Sequence, residues 1–344
     1  MAWAAPQHTK GEVDRAGRAL VAPIVSYPEI ADALLVINNW RSSHSFPLNT
    51  FQVGLRSKAR QVDGDALVAQ RIKRLSSIEA KLVRFPKMNM SQMQDIGGCR
   101  AVVKSVANVR ALVQLHRESS VKHKLLRIDD YLTSPQSSGY RGIHLIYRYY
   151  SDRSDAYNGM QIEIQLRSLL QHAWATAVET VGTFLKQALK SSQGHAEWLR
   201  FFALMGSSLA LREKTHLVPN TPTNRAELLE ELRSAATALD VERRLHAYGD
   251  ALRTLEEPSV SDAHYFLMAL DPKADTITIR GYAKSELELA TTQYLAVERS
   301  LDAKSGAEAV LVSVESVAAL KRAYPNYFLD THAFLVAVQK ALVE

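Results

Sequence analysis

Gln161-Ile162-Glu163-Ile164-Gln165-Leu166-Arg167 is the stretch on which the reading of this chain turns. Its apolar and polar residues alternate strictly, and successive strand side chains point to opposite faces. The spacing therefore predicts a strand with Ile162, Ile164 and Leu166 on a core face and Glu163, Gln165 and Arg167 on a polar face. A carboxylate between an amide and a guanidinium suits a divalent cation, a hydroxyl proton or phosphate charge. A solvated strand edge would read the same way, so the meaning of the face depends on what the rest of the chain brings to it.

Three upstream segments bear on it. In Arg71-Ile72-Lys73-Arg74-Leu75-Ser76-Ser77-Ile78-Glu79-Ala80-Lys81-Leu82, Ser76 and Glu79 have capping-box spacing. A helix is expected to start there, with Arg71 and Lys73 on the incoming loop and Ser77, Lys81 and Arg84 on a polar stripe. Basic residues around a helix N-terminus suit a polyphosphate, and a solvated basic face is the alternative. No glycine-rich P-loop is present. Asp95-Ile96-Gly97-Gly98-Cys99-Arg100 leads into a strand near Arg100–Val103 and sets a carboxylate at its edge, a pattern also found in ordinary turns. Asp130 to Gly139 is a loop of turn formers that delivers Tyr140, a base-stacking candidate or a plug at a strand start, with His144 just beyond.

The bulk numbers bound these readings. The chain has 344 residues, 47% hydrophobic and 23% charged, with a formal charge of +6, which suits a globular protein with an anionic ligand. Cys99 is the single cysteine, so the chain forms no intrachain disulfide and no multi-cysteine zinc site. The apolar runs are too short for a signal peptide or a membrane span, so a cytoplasmic protein with no membrane partner is expected.

Along the chain, residues 1–24 read as a loose arm. Residues 25–215 hold the alternating helix and strand signals and two following helices, and residues 216–257 a linker and a charged amphipathic helix opened by Asn224 and Glu227. Residues 258–344 read as a small α+β domain. A turn is expected at Asp271–Asp275 and a break near Pro325.

In this order the segments resemble the synthetase domain of the RelA/SpoT family. The motif residues are Arg71, Lys73, Ser77, Ile78 and Lys81, with one additional serine before Ser77, then Asp95 to Arg100, Asp130 to His144, and Glu163 to Arg167. The resemblance implies an α+β fold, a nucleotidyltransferase-like mixed sheet flanked by helices, followed by a helical connector and the small C-terminal domain. It also implies a GTP pyrophosphokinase-type transferase that moves the β,γ-pyrophosphate of ATP to the ribose 3′-hydroxyl of GDP or GTP. By the same resemblance Arg71, Lys73, Ser77, Lys81, Arg100 and Arg167 bind ATP. Asp95 and Glu163 hold magnesium (Mg2+), Glu163 also activates the hydroxyl, and Tyr140, His144 and Gln165 face the acceptor.

The chain departs from the family pattern at Pro135-Gln136-Ser137-Ser138-Gly139-Tyr140, which lacks the usual lysine and asparagine, and Arg127–Asp130 mixes two family variants. The residues before Arg71 are too few for the family's hydrolase domain, and the C-terminal part matches none of its ribosome-linked domains. A stand-alone synthetase is therefore expected, as a monomer or a homo-oligomer, with a C-terminal domain that binds a regulator. An acceptor at the 3′ end of tRNA, as in toxic members, is the alternative. An inactive RNA-binding or regulatory protein is a third reading, against which the retention of Asp95 and Glu163 speaks.

Overall fold

Alternating β-branched runs and capped amphipathic segments divide the chain into twelve helices and nine strands among the described residues. The computed structural model describes residues 3–23, 26–185, 196–250, 253–256, 263–271, 276–301, 307–314, 317–325, 328 and 331–343. In chain order the first elements are α1 (Lys10–Leu20), α2 (Tyr27–Ser43), α3 (Ser45–Val62), β1 (Leu67–Ile72), α4 (Leu75–Arg84), β2 (Gly97–Val103), α5 (Val106–Arg117), β3 (Lys124–Asp130), β4 (Ile143–Arg148) and β5 (Gln161–Ser168). There follow α6 (Leu169–Leu185), α7 (Ala196–Glu213), α8 (Arg225–Ala238), α9 (Val241–Asp250), β6 (Arg253–Glu256), β7 (Tyr265–Asp271), β8 (Thr276–Tyr282), α10 (Leu287–Ser300), β9 (Glu308–Ser313), α11 (Val317–Ala323) and α12 (His332–Val343).

The strands form one mixed sheet in the order β3-β4-β5-β2-β1-β9-β7-β8-β6. The pairing of β2 with β5 is parallel, Gly98 opposite Glu163 and Arg100 opposite Gln165, whereas β1 with β2 and β4 with β5 are antiparallel. One face carries Cys99, Ala101, Val103, Ile162, Ile164 and Leu166 into a core closed by the first five helices. The polar alternates of the same strands lie on the other face, as the period of two requires. A second core joins α6 to α9 with α12, and a third joins β7 and β9 with Leu320, Ala323 and Tyr324. No described helix is long and apolar enough to cross a membrane.

The mixed α+β sheet flanked by helices agrees with the sequence reading, and several local expectations change. The N-terminal arm contains a capped helix: Thr9 and Glu12 form a capping box at α1, and Val13 is fully buried. Arg71 lies in β1 rather than on a loop. Helix α4 begins at Leu75 with Arg74 as an N-cap whose side chain makes no capping bond, so the Ser76–Glu79 box does not form. The segment expected as one helix from Asn224 to Leu255 is α8, α9 and the short strand β6. Most of the Asp271–Asp275 turn lies outside the described residues. The strands after residue 258 extend the same sheet, because β9 pairs with β1 at Gln70–Ser313 and Arg71–Val312.

His116 is buried against the Tyr147 hydroxyl at 3.0 Å, and burial, with a smaller push from Lys58, lowers its pKa from 6.5 to about 4. An unfolded chain therefore binds a proton there that the folded chain refuses, so this group's contribution is complete above about pH 6.5 and fades as the pH falls toward 4. His116→Gln should lose less stability than the wild type between pH 7 and pH 5, by up to one proton's worth of slope. Urea unfolding at several pH values checks this, and parallel slopes for the two chains would contradict it.

Candidate active site

The polar face of β1, β2, β4 and β5 gathers the chemistry. Because Gly98 stands opposite both Arg71 and Glu163, a gap without a side chain opens between a cation and a carboxylate. A Cβ at Gly98 would meet only the Glu163 carbonyl, at 3.9 Å. Asp95, just ahead of β2, faces this gap and holds two ammonium groups, Lys73 Nζ and Lys81 Nζ, each at 2.8 Å. Burial alone would raise the Asp95 carboxyl, but Lys73 and then Lys81 outweigh it and keep it well below the usual carboxylate range.

Glu163 receives His144 Nδ1 at 3.0 Å and Gln165 Nε2 at 2.7 Å. His144 Nε2 lies 2.5 Å from the Tyr140 hydroxyl, which also accepts Arg167 Nη2 at 3.1 Å. Burial pulls the His144 pKa down, yet Tyr140 and then Glu163 raise it to about 10. Burial pushes Tyr140 up, and Arg167 and His144 bring it to about 8. The group is thus a buried chain of charge-assisted bonds ending at Arg167, which is 3% exposed. Among the described residues Arg167 Nε and Nη1 have no hydrogen-bond partner, so two donor nitrogens of a buried cation are left for an anion or water.

Two cavities meet at the carboxylates. One of about 400 Å³ is lined by Lys81, Arg84, Phe85, Gln94, Arg127, Asp129, Tyr131, Gln136 and His144, together with Asp95 and Glu163. The other, about 50 Å³, is lined by Arg71, Gly98, Arg100, Gln165 and Tyr324, again with Asp95 and Glu163. The residues expected at the site, Arg71, Lys73, Lys81, Asp95, Arg100, His144, Glu163, Gln165 and Arg167, therefore converge. Ser77 sits half-buried in the first turn of α4.

The structure changes one reading in detail. Tyr140 is only 7% exposed, with its ring packed edge-on to Trp174 and His144 and the Arg167 guanidinium 5.2 Å from its centre. The ring is packed on these neighbours, and the tyrosine and phenylalanine that line the open cavity are Tyr131 and Phe85. Sequence reading passed over Tyr131 because it stands inside the loop motif, and over Tyr324 because it lies more than 150 residues beyond the motifs. Tyr324 places its ring 5.3 Å from the Arg100 guanidinium, the Ala323 carbonyl accepts a bond from Arg100, and the Tyr324 hydroxyl donates to the Gln70 carbonyl at 2.9 Å.

The loop carrying Tyr140 is clamped to the helices behind it. Gly139 has φ +96°, and a Cβ there would sit 2.6 Å from the Phe202 carbonyl. Arg141 donates to Glu213 at 2.7 Å and to Thr215 at 3.2 Å, while Ser168 and Gln171 also bond Glu213.

A mixed α+β sheet thus brings paired carboxylates and flanking cations to one face, a donor set suited to phosphate charge. Residues 70–183 of the chain match the model of the region found in RelA / SpoT proteins. The GTP pyrophosphokinase YjbM of Bacillus subtilis (strain 168) is 31% identical over 114 residues, 32% of this chain and 52% of that protein. The GTP pyrophosphokinase YwaC of the same organism is 25% identical over 111 residues, 31% of this chain and 52% of that protein. The chain thus spans about half the length of the curated relatives it matches. Among solved structures, small alarmone synthetase 2 from Bacillus subtilis aligns with a TM-score of 0.44 at 18% identity, over 51% of this chain and 93% of that one. A GTP pyrophosphokinase family protein from Streptococcus pneumoniae aligns with a TM-score of 0.41 at 22% identity, over 49% and 84%.

Arg141→Met should cost about 3–5 kcal/mol of stability, because it strands the buried Glu213 charge, and Arg141→Met/Glu213→Leu should recover most of it. Denaturant titration measures both chains, and a single-variant loss under about 1 kcal/mol would show that Glu213 finds other partners or solvent.

Proposed function

We propose that the chain is an ATP-dependent pyrophosphokinase acting on a ribose 3′-hydroxyl, GDP or GTP being the first acceptors to consider. The observation that carries this reading is that Asp95 and Glu163 line both cavities. Two substrates entering from opposite sides would meet at the same pair of carboxylates.

On the side of Arg71 and Arg100, with the unpartnered nitrogens of Arg167 nearby, the cations suit the ATP polyphosphate. Lys73 and Lys81, now held by Asp95, would follow the incoming phosphates. On the open side, Tyr131 and His144 suit an acceptor nucleoside. The acceptor 3′-oxygen attacks the β-phosphorus, and the bond from that phosphorus to the α,β-bridging oxygen breaks. AMP leaves, and Glu163 takes the hydroxyl proton. His144, bonded to Glu163, orients the carboxylate.

Asp95 and Glu163 fit a magnesium ion, which commonly uses one or two carboxylates with substrate phosphates and water. When bound it would supply neutralisation of the developing phosphate charge. Gln136 on the wall of the open cavity favours a second acceptor. A free nucleotide brings a 5′-di- or triphosphate that a cation would meet better than an amide, whereas the terminal nucleoside of a tRNA brings only a single 5′-phosphodiester charge.

The C-terminal segment regulates the reaction in this reading. Tyr324 and Ala323 occupy Arg100, which a donor phosphate would need. Point variants test this better than truncation, because Phe334, Leu335 and Val338 of α12 belong to the helical core.

With labelled ATP and, separately, GDP, GTP and deacylated tRNA, Glu163→Gln should abolish transfer while circular dichroism stays unchanged. Wild-type turnover by this variant would end the assignment of Glu163. In the same assay Tyr324→Ala should raise transfer, mainly through a lower KM for ATP, and a folded variant with reduced transfer would make Tyr324 part of the working site.

A further inference from the structure

We infer that Glu298, on α10 of the C-terminal segment, is a positioning residue for the donor side of the site. It caps helix α4 from outside and holds the backbone between Arg71 and Ser77. This rests on the proposed function for its consequence, and on geometry for the contact itself.

The N-terminus of α4 lacks a cap of its own, since neither Arg74 nor the Ser76–Glu79 pair supplies one. Free N–H groups at a helix start need an acceptor, and a carboxylate is favoured by the helix dipole as well. Glu298 Oε1 provides it, accepting Leu75 N–H at 2.8 Å. The same carboxylate is gripped by Arg41 of α2, whose Nη1 and Nη2 reach Oε2 and Oε1 at 2.9 and 3.1 Å. Tyr294, one turn earlier on α10, donates to Glu298 at 2.7 Å and accepts from Arg41 at 2.7 Å.

Arg41 is 1% exposed, and its Nε donates to the Lys73 carbonyl at 3.0 Å. Its guanidinium thus joins α2, α10 and the backbone of a residue whose side chain bonds Asp95. Arg74 is tied to Glu308 at the start of β9, a second pin on the same turn. A planar bidentate pair with every arm used sets position as well as charge. The turn between β1 and α4 carries Lys73 and directs Lys81, so its geometry depends on whether α10 is seated.

The test compares full-length Glu298→Gln and Glu298→Met. Glutamine keeps an oxygen for Leu75 N–H while giving up the charge on Arg41, and methionine gives up both. Hydrogen exchange at the amides of residues 75–79 is read against the amides of β5. With methionine it should quicken by roughly tenfold relative to β5, and with glutamine stay within about threefold of wild type. Binding of a non-hydrolysable ATP analogue, measured by calorimetry in chains carrying Tyr324→Ala, should weaken about tenfold with methionine and recover with glutamine. A folded methionine variant with unchanged exchange at 75–79 would overturn the inference, as would equal losses with glutamine and methionine. If the Tyr324→Ala chain binds no ATP analogue, the functional reading falls, while the exchange comparison still decides the cap.

Discussion

The parallel pairing of β2 with β5 is the constraint on which the rest of the site depends. It sets Gly98 beside Glu163 and Arg100 beside Gln165, so a gap and a cation fall next to a carboxylate and an amide. Side chains alternate with a period of two, and a slip of one residue would turn Glu163, Gln165 and Arg167 into the core. Ile162, Ile164 and Leu166, all fully buried, hold the register against that slip. The core face thus fixes the chemical face.

Charge concentrated on that face has to be balanced in the absence of phosphate. Asp95 takes two lysines, Glu163 takes His144, and Tyr140 takes His144 and Arg167. Such pairs are costly to break in a buried setting, because removing one partner leaves the other's charge uncompensated. The unpartnered nitrogens of Arg167 fit the same picture, since they are donors the protein leaves for something else. The buried Arg141–Glu213 pair ties the Tyr140 loop to the helices behind it.

The C-terminal strands and helices meet the Arg71–Arg100 side of the site through three contacts among the described residues. Tyr324 covers Arg100, Glu298 caps α4 and Glu308 holds Arg74. Each is a contact between a charged or aromatic group and a residue next to phosphate-binding candidates, and β9 joins them to the sheet through β1. A partner that bound the C-terminal segment would act on the site through elements already in contact, which is the physical content of coupling between two places in one protein.

How much of this was legible in the sequence follows from the range of each signal. Alternation at Gln161–Arg167 placed a strand, its core face and Glu163, because period-two patterning is local and burial enforces it. Order and spacing of the motifs from Arg71 to Arg167 placed the RelA/SpoT region and its cations and carboxylates. The Thr9–Glu12 box of α1 was present and passed over, whereas the Ser76–Glu79 box looked right and did not form, since a carboxylate far along the chain took its place. Tertiary structure alone decided that Tyr140 is buried and Tyr131 faces the cavity, that Arg41 and Glu298 hold the turn between β1 and α4, and that Tyr324 lies on Arg100. Those contacts join residues up to 257 positions apart, and no local pattern of hydrophobicity or capping carries information about partners that only folding brings together.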